Sequence, residues 1–218
     1  MTDPSPRPPI PAGLVTGGVV AIARRLNADT APQAADALVA GGVLAFEITL
    51  NEPVGDALRA IESLANRAPA LAIGAGTVLS IDSARLALDA GATFLVMPHT
   101  DPELVAWAAT RGVPTLPGAF TPTEVLAAWR AGAAAVKLFP ASVAGPAFVR
   151  ECHGPFPEIP LVPSGGVTAE TAADFIRAGA VAVGVGSWLI GDAESSGVTT
   201  RARQVVQVVA EARAGAVP

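Results

Sequence analysis

One lysine stands out among the residues whose type and setting could do chemistry. Lys137 is the only lysine of the 218-residue chain and lies in the apolar run AAAVKLFP, residues 133–140. Burial disfavours the charged form of an amine, and a neutral amine can attack a carbonyl substrate to form a Schiff base. The alternative is a lysine at a strand end whose ammonium group reaches solvent. Its uniqueness and its apolar neighbours favour a catalytic nucleophile.

A carboxylate in a second apolar run is the expected partner of this amine. Glu47 lies in the segment FEITLNEP and shares a face of its predicted strand with Thr49, because side chains alternate along a strand. Formation of a Schiff base, its dehydration and the protonation of a carbanion all move protons. A buried carboxylate with a raised pKa can serve these steps as a general acid and base. The structural alternative is a salt bridge, for which Arg24 is available.

These residues must be positioned by an alternation of helical and β-rich segments. Alanine-rich helical patterns end in glycine and are followed by short apolar runs, as at 38–43, 88–93 and 177–183, which is typical of buried parallel strands. The predicted strands are 19–23, 43–49, 70–74, 93–97, 113–116, 134–138, 161–163 and 181–185. The predicted helices lie near 30–41, 54–66, 80–90, 101–111, 121–131, 145–152, 168–178 and 193–213.

Eight strand–helix units in a chain of this length predict an α/β protein with a (β/α)8 TIM barrel in a single domain. The competing fold is a doubly wound open sheet, which usually has a glycine-rich dinucleotide fingerprint after its first strand. The segment VVAIARRLN does not have that pattern. The proline-rich residues 1–12 are expected to form a flexible leader, and residues 13–218 to form the barrel domain.

A barrel of this type builds its chemistry where strands end and helices begin. Two glycine-containing turns follow the last two predicted strands, Gly165-Gly166 and Gly186-Ser187. Backbone N–H groups in such loops commonly bind phosphate. The other candidate substrate-binding residues at strand ends are Arg24, Thr49, Thr77, Pro98, Phe139 and Ser164.

Composition narrows the class of function. The net charge of −5 and the pI near 5.0 argue against a nucleic-acid surface. No apolar run reaches the roughly 20 residues that a membrane-spanning helix needs. A single cysteine excludes an internal disulfide framework and suits a cytoplasmic location. Two histidines, without a cluster at ligand spacing, predict no metal site. We therefore expect a small-molecule substrate, and neither nucleic acid nor membrane as a partner.

Several motifs together resemble the 2-dehydro-3-deoxy-6-phosphogluconate and 4-hydroxy-2-oxoglutarate aldolases. They are FEITLNEP, IGAGTVL, MPH, PGAFTPTE, VKLFPASVAGP, VPSGGV and VGVGSWL, and they cover about residues 14–190. The resemblance implies a class I Schiff-base aldolase on a (β/α)8 barrel, a lyase that forms a homotrimer and needs no metal or other cofactor.

The resemblance also assigns roles to individual residues. Lys137 would form the imine with pyruvate, and Glu47 would be the general acid and base. Thr77 would help to hold the pyruvyl carboxylate, and Phe139 would pack against the pyruvyl end. The loops at Gly165-Gly166 and Gly186-Ser187 would hold the phosphate.

Two departures from the family pattern bear on the substrate. Many members have an arginine that binds the carboxylate at the position of Asn51, whereas a subset has an arginine after strand one, as Arg24 does here. The resemblance therefore assigns the carboxylate to Arg24. Ser164 replaces a frequent threonine and would face the sugar end of the substrate.

The expected reaction is the Entner–Doudoroff cleavage of 2-dehydro-3-deoxy-6-phosphogluconate to pyruvate and glyceraldehyde 3-phosphate, with 4-hydroxy-2-oxoglutarate as a further substrate. Three alternatives remain at this point. The first is the corresponding 6-phosphogalactonate aldolase, which the LNEP form of strand two resembles. The second is a phosphosugar epimerase or isomerase, and the third is a barrel that binds a phosphometabolite without catalysis.

Overall fold

The computed structural model describes residues 7–51, 53–67, 71–191 and 195–215. The strands are β1 (Val19–Ala23), β2 (Ala45–Thr49), β3 (Ala72–Gly76), β4 (Phe94–Val96), β5 (Thr115–Leu116), β6 (Gly118–Ala119), β7 (Val136–Leu138), β8 (Leu161–Pro163) and β9 (Val183–Val185). The helices are α1 (Ala12–Gly17), α2 (Ala31–Ala40), α3 (Val54–Ala65), α4 (Ile81–Asp89), α5 (Pro102–Ala109), α6 (Pro122–Arg130), α7 (Ala141–His153), α8 (Ala169–Arg177), α9 (Ser187–Ile190) and α10 (Ser195–Ala214). In these ranges no helix is long and apolar enough to cross a bilayer.

The strands form a curled, wholly parallel arrangement. Six strands pair in the order β5-β4-β3-β2-β1-β9, and three pair in the order β6-β7-β8. A parallel bridge between Ser164 and Gly184 connects the end of β8 to β9. Parallel pairing brings the carboxyl ends of all strands to one edge, which is the edge where the candidate site residues lie.

Side chains on the two faces of the strands pack in separate apolar layers. On β1, Val19 and Ala21 belong to the layer between the strands and the helices, whereas Val20 belongs to an inner cluster enclosed by the curl. This alternation is the period-two pattern of a strand buried on both faces. The inner cluster consists of Leu14, Val20, Ala45, Phe94, Val96, Leu116, Ala135, Val162 and Ala182.

Local sequence explains where the helices behind the site begin. In α6 the Thr121 hydroxyl accepts a hydrogen bond from the Glu124 backbone N–H at 3.3 Å, and the Glu124 carboxylate accepts one from the Thr121 N–H at 2.9 Å. In α5 the Asp101 carboxylate accepts from the N–H groups of Glu103 and Leu104. Both helices have proline in their first turn. Both helix starts therefore follow from their local sequences.

Several predicted boundaries were wrong. The predicted third strand, 70–74, lies two residues later as β3, and Ala70 falls outside the described residues. Glycines have a low strand propensity, so the sequence pattern ended the strand before Gly76. The predicted strand 113–116 is reduced to β5, after which Pro117 separates it from the additional strand β6. Proline has no N–H group to donate to a ladder.

Helices also differ from the prediction. Helix α1 was not predicted, because the proline-rich start of the chain hid its short pattern. Helix α7 begins at Ala141 rather than at 145 and is kinked at Gly145, which has φ 70° and ψ 168° and precedes Pro146. The predicted helix 193–213 begins and ends near α10, and α9 lies before it.

The boundary of the predicted leader remains a prediction. Residues 1–6 lie outside the described part of the chain. Arg7, within the predicted leader, has its guanidinium 3.0 Å from the ring centroid of Trp129 and donates to the Trp129 carbonyl at 2.9 Å. The described end of this segment is therefore packed against α6.

Candidate active site

Lys137 lies on β7 and is directed into the interior of the curl. Its neighbours Val136 and Leu138 belong to the layer that packs against the helices, so alternation sends the lysine to the opposite face. Its backbone N–H donates to the Pro117 carbonyl at 2.9 Å, and its side chain is only 10% exposed. The sequence prediction of a lysine in apolar surroundings is confirmed.

Glu47 approaches this amine from β2. Its Oε1 lies 3.9 Å from Lys137 Nζ, and its side chain is 3% exposed. That separation is longer than a hydrogen bond, so the carboxylate does not hold the amine in place. It is short enough for the two groups to exchange protons after a small movement or through one water molecule. Burial raises the pKa of Glu47, while the positive charges of Lys137 and Arg24 oppose that shift. A raised pKa suits a group that must both accept and donate protons.

The walls around the pair are apolar. A small cavity, which we call the lysine cavity, lies beside Lys137 and Glu47. The phenyl ring of Phe139 has its centroid 5.3 Å from Lys137 Nζ. Such walls keep water away from both ionisable groups and strengthen their interaction. The remaining lining residues are Val20, Ile22, Val96, Leu116, Val162, Ser164 and Gly184.

A second cavity of about 110 Å³ adjoins the first, and the two share Ile22 and Ser164 in their linings. The larger one contains both predicted phosphate loops and the arginine predicted at the end of strand one. Its lining residues are Ile22, Arg24, Ser164, Gly165, Gly166, Val167, Thr168, Gly186, Ser187 and Trp188.

The geometry of this second cavity suits an anion. Arg24 Nη1 donates to Ser187 Oγ at 3.3 Å. Gly165 and Gly166 have φ values of 91° and 81°, which side chains rarely adopt, and a Cβ at Gly166 would lie 2.6 Å from the Ser142 Cβ. The turn therefore presents bare backbone to the cavity. We call this the anion cavity.

The structure does not bring Thr49 into either of these cavities. The Thr49 hydroxyl is 3.1 Å from the Ala23 carbonyl oxygen and 2.5 Å from Asn51 Oδ1, and the side chain is buried. Together with Asn51 it lines a separate cavity of about 180 Å³ that also includes Arg25 and Asp56. Thr49 follows Glu47 by two residues along β2, as the alternation of side chains requires. At the end of the strand, however, Thr49 lines a cavity with residues of α3.

Thr77 and Pro98 lie at the ends of β3 and β4. Thr77 has a φ of 57°, a left-handed value that is uncommon for a β-branched residue. The carbonyl group of Pro98 packs against Gly118, where a Cβ would overlap it. Both are half-buried and remain candidates for the edge of the lysine cavity.

Ile22 and Thr168 are among the lining residues that the sequence analysis did not single out. Ile22 separates the two cavities, and its position follows from alternation with Arg24 along β1, a signal that the sequence contains. Thr168 directly precedes α8, where its backbone N–H donates to Thr171 Oγ1 at 3.1 Å, and its Thr-x-x-Thr pattern could have placed it beside the Gly165-Gly166 loop. In the described ranges no group of three His, Cys, Asp or Glu side chains is arranged to hold a metal.

A parallel α/β fold that holds a buried lysine–carboxylate pair beside an anion cavity has the features of an enzyme active site. Comparison with known proteins identifies the family. The sequence profile of the family "Aldolase: KDPG and KHG aldolase" matches residues 10–207. The chain belongs to this family.

Relatives and solved structures agree with that assignment. The chain is 43% identical over 165 residues to 2-dehydro-3-deoxy-phosphogluconate aldolase of Pseudomonas aeruginosa, covering 75% of this chain and 74% of the relative. It is 39% identical over 197 residues to the probable 2-dehydro-3-deoxy-6-phosphogalactonate aldolase of Rhizobium meliloti, covering 89% and 90%.

Two solved structures are similar over nearly the whole chain. A structure described as native KDPGal superimposes with a TM-score of 0.85 at 31% identity, covering 90% of this chain and 96% of the other. KDPG aldolase from Legionella pneumophila, with pyruvate captured at low pH as a covalent carbinolamine intermediate, gives a TM-score of 0.77 at 27% identity, covering 93% and 98%.

Proposed function

We propose that this aldolase cleaves 2-dehydro-3-deoxy-6-phosphogluconate to pyruvate and glyceraldehyde 3-phosphate through a Schiff base on Lys137. The observation that carries the proposal is the 3.9 Å separation of Lys137 Nζ and Glu47 Oε1 inside an apolar cavity. The relatives named 2-dehydro-3-deoxy-phosphogluconate aldolase and the covalent pyruvate adduct of the Legionella pneumophila enzyme support the same chemistry.

The first half of the reaction uses both residues. Neutral Lys137 Nζ attacks the C2 carbonyl carbon, and proton transfers through Glu47 convert the carbinolamine to a protonated imine with loss of water. The Glu47 carboxylate then takes the proton of the C4 hydroxyl group. The C3–C4 bond breaks, its electron pair moves into the imine to form an enamine, and the aldehyde leaves.

The second half returns the enzyme to its starting state. Protonated Glu47 donates its proton to C3 of the enamine, which regenerates a protonated imine, now of pyruvate. Water then attacks C2, pyruvate departs, and the amine of Lys137 is free again. One carboxylate can serve every proton transfer because its raised pKa keeps both of its forms accessible.

The adjoining cavities suggest how the substrate lies. The pyruvyl end occupies the lysine cavity near Phe139, with Thr77 and Pro98 at its edge, and the phosphate occupies the anion cavity against Gly165-Gly166 and Gly186-Ser187. Ser164 lies in the lining of both cavities and therefore faces the middle of the substrate.

Arg24 and Thr49 need separate assignments. The contact between Arg24 and Ser187 favours the phosphate end for Arg24, whereas the family resemblance assigns the carboxylate, and experiment can separate the two roles. Thr49 has its hydroxyl group engaged by Ala23 and Asn51. We assign it a role in shaping the end of β2 rather than direct contact with the substrate.

We further propose a complete (β/α)8 barrel. The support is the bridge between Ser164 and Gly184 at one side and, at the other, the hydrogen bonds from Ala134 N to Thr115 O and from Lys137 N to Pro117 O at 3.0 and 2.9 Å. These contacts connect the two sheets on either side. A cytoplasmic homotrimer that acts in the Entner–Doudoroff route is proposed from the family resemblance.

A coupled assay of pyruvate release tests the proposed function. Lactate dehydrogenase and NADH report pyruvate formed from the phosphogluconate, phosphogalactonate and 4-hydroxy-2-oxoglutarate substrates in parallel. We expect the highest kcat/KM with 2-dehydro-3-deoxy-6-phosphogluconate. Absence of pyruvate release from all three substrates would contradict aldolase activity.

The phosphogalactonate substrate is the second candidate. The Rhizobium meliloti relative is named for that reaction and covers more of the chain than the Pseudomonas aeruginosa relative. The two substrates differ in the configuration of one hydroxyl group. Ser164, which faces the middle of the substrate, is the side chain expected to contact that group. A higher kcat/KM for the phosphogalactonate in the same assay would select this candidate.

A further inference from the structure

The inner face of β3 is formed by small residues. Ala72, Gly74 and Gly76 share this face, while Ile73 and Ala75 pack in the layer against the helices. In the parallel register Glu47 lies opposite Gly74. Larger side chains of the neighbouring strands can therefore extend across the inner face of β3.

The side chain of Glu47 uses the space above Gly76. If Gly76 carried a Cβ atom, its three nearest neighbours would all belong to Glu47, with Cδ at 2.6 Å, Cγ at 2.7 Å and Oε1 nearer still. Real Cβ atoms essentially never approach other heavy atoms that closely. Any other residue at this position would exclude the carboxylate from its observed place.

Backbone conformation does not explain the glycine. Gly76 is not among the glycines with positive φ, so its φ does not require glycine. What requires glycine is the volume occupied by Glu47. Gly74 differs, because the three atoms nearest to a Cβ there would all belong to the ring of Phe94.

We infer that Gly76 is a positioning residue that sets the distance between the Glu47 carboxylate and Lys137 Nζ. A Cβ at Gly76 would occupy the place of the Glu47 side chain, so the carboxylate would have to leave the position that lies 3.9 Å from Lys137 Nζ. The geometric part of this inference stands on the structure, and its catalytic part rests on the proposed role of Glu47 as acid and base.

Thermal unfolding of a double-mutant cycle tests the geometry without any catalysis. Gly76→Ala should lower the midpoint by roughly 2–12 °C, the cost of overpacking a core of this size. The same change in a Glu47→Ala background should cost little, because the overlapping carboxylate is gone. Gly74→Ala is the control, and its cost should be unchanged by Glu47→Ala. Equal costs of Gly76→Ala in both backgrounds would overturn the inference.

The cycle remains decisive if Gly76→Ala does not fold. In that case the double variant Glu47→Ala/Gly76→Ala should fold, because the overlap has been removed. A double variant that also fails to fold, while Glu47→Ala alone folds, would show that Gly76 is needed for another reason and would overturn the inference.

Kinetics test the catalytic part. Gly76→Ala should lower kcat by about 10–10³-fold, somewhat less than the roughly 10²–10⁴-fold loss expected when an acid–base group is deleted, and should shift the pH profile limb that reports Glu47. In a Glu47→Gln background the same change should add less than about threefold, because the two act on one step. An unchanged kcat and pH profile would overturn the positioning role. Full activity of Glu47→Gln would instead contradict the proposed function and leave the thermal result standing.

Discussion

Arg24 and Ser187 join the ends of two strands that are remote in sequence. The Nη1 atom of Arg24, after β1, donates to Ser187 Oγ at 3.3 Å across 163 residues of chain. Both side chains are exposed, and both line the anion cavity with the Gly165-Gly166 loop. The arginine therefore lies among the groups that would hold a phosphate, while its charge opposes the rise that burial causes in the pKa of Glu47.

Replacing Arg24 with methionine should weaken binding of the phosphorylated substrate. A hydrogen bond to a charged group is worth about 1.5–3 kcal/mol, so KM for 2-dehydro-3-deoxy-6-phosphogluconate should rise by roughly 10–100-fold. KM for 4-hydroxy-2-oxoglutarate, which has no phosphate, should change little. Arg25→Met is the matched control, because Arg25 lines the separate cavity beside Asn51. An equal rise in KM with both substrates would instead show that Arg24 binds the carboxylate of the substrate.

Replacing Glu47 with glutamine should lower kcat by about 10²–10⁴-fold, the usual cost of deleting one general acid and base. Glutamine retains the shape of the side chain, so the fold should be kept and circular dichroism should be unchanged. Steady-state kinetics with saturating substrate provide the measurement. A folded variant with kcat within twofold of the parent would show that Glu47 is not the proton-transfer group.

Stability should depend on pH through Glu47. Burial raises the pKa of this carboxyl group in the folded protein, so the folded state binds a proton more readily than the unfolded chain. Its contribution to stability is full below the unfolded pKa of about 4.3. That contribution is lost as pH rises from there through the raised folded pKa.

Urea unfolding of the parent and Glu47→Gln at several pH values between about 4 and 8 measures this loss. The free energy of unfolding of the parent, minus that of the variant, should fall as pH rises. A difference that stays flat, or rises with pH, would show that burial does not penalise the ionised carboxylate.

Ser164→Thr should change which substrate is preferred. Ser164 is 3% exposed and lies in the lining of both cavities, so an added methyl group narrows the passage at the middle of the substrate. One methyl group can change discrimination by about tenfold or more. Because the motif that the sequence resembles has threonine at this position, we expect the kcat/KM ratio of phosphogluconate to phosphogalactonate to rise. An unchanged ratio would show that this side chain does not read the differing hydroxyl.

The sequence predicted that Lys137 and Glu47 lie close together because the evidence for each is local. Lys137 and Glu47 are each unusual in their own segments, and parallel strands bring their ends to one edge. The contact between Arg24 and Ser187 required only the further expectation that the first and last strands are neighbours. Alanine-rich patterns that end in glycine placed most of the helices for the same local reason.

Other features depend on which side chain fills a neighbour's space. In the sequence Gly76 resembles any glycine at the end of a strand, and only the structure shows that the Glu47 side chain occupies the space above it. Thr49 shares a face with Glu47 along an ideal strand, yet its hydroxyl group turns to Ala23 and Asn51 where β2 ends. Strand alternation does not describe how a chain leaves its strand, so the sequence could not separate these cases.

Covalent trapping tests the central claim most directly. Borohydride added together with pyruvate should reduce the imine to a stable secondary amine, inactivate the enzyme irreversibly and leave the added mass on the peptide that contains Lys137. Borohydride without pyruvate is the control, and Lys137→Met should be neither trapped nor active. Retention of full activity by Lys137→Met, or an adduct on any other residue, would contradict the assignment of Lys137 as the imine-forming nucleophile.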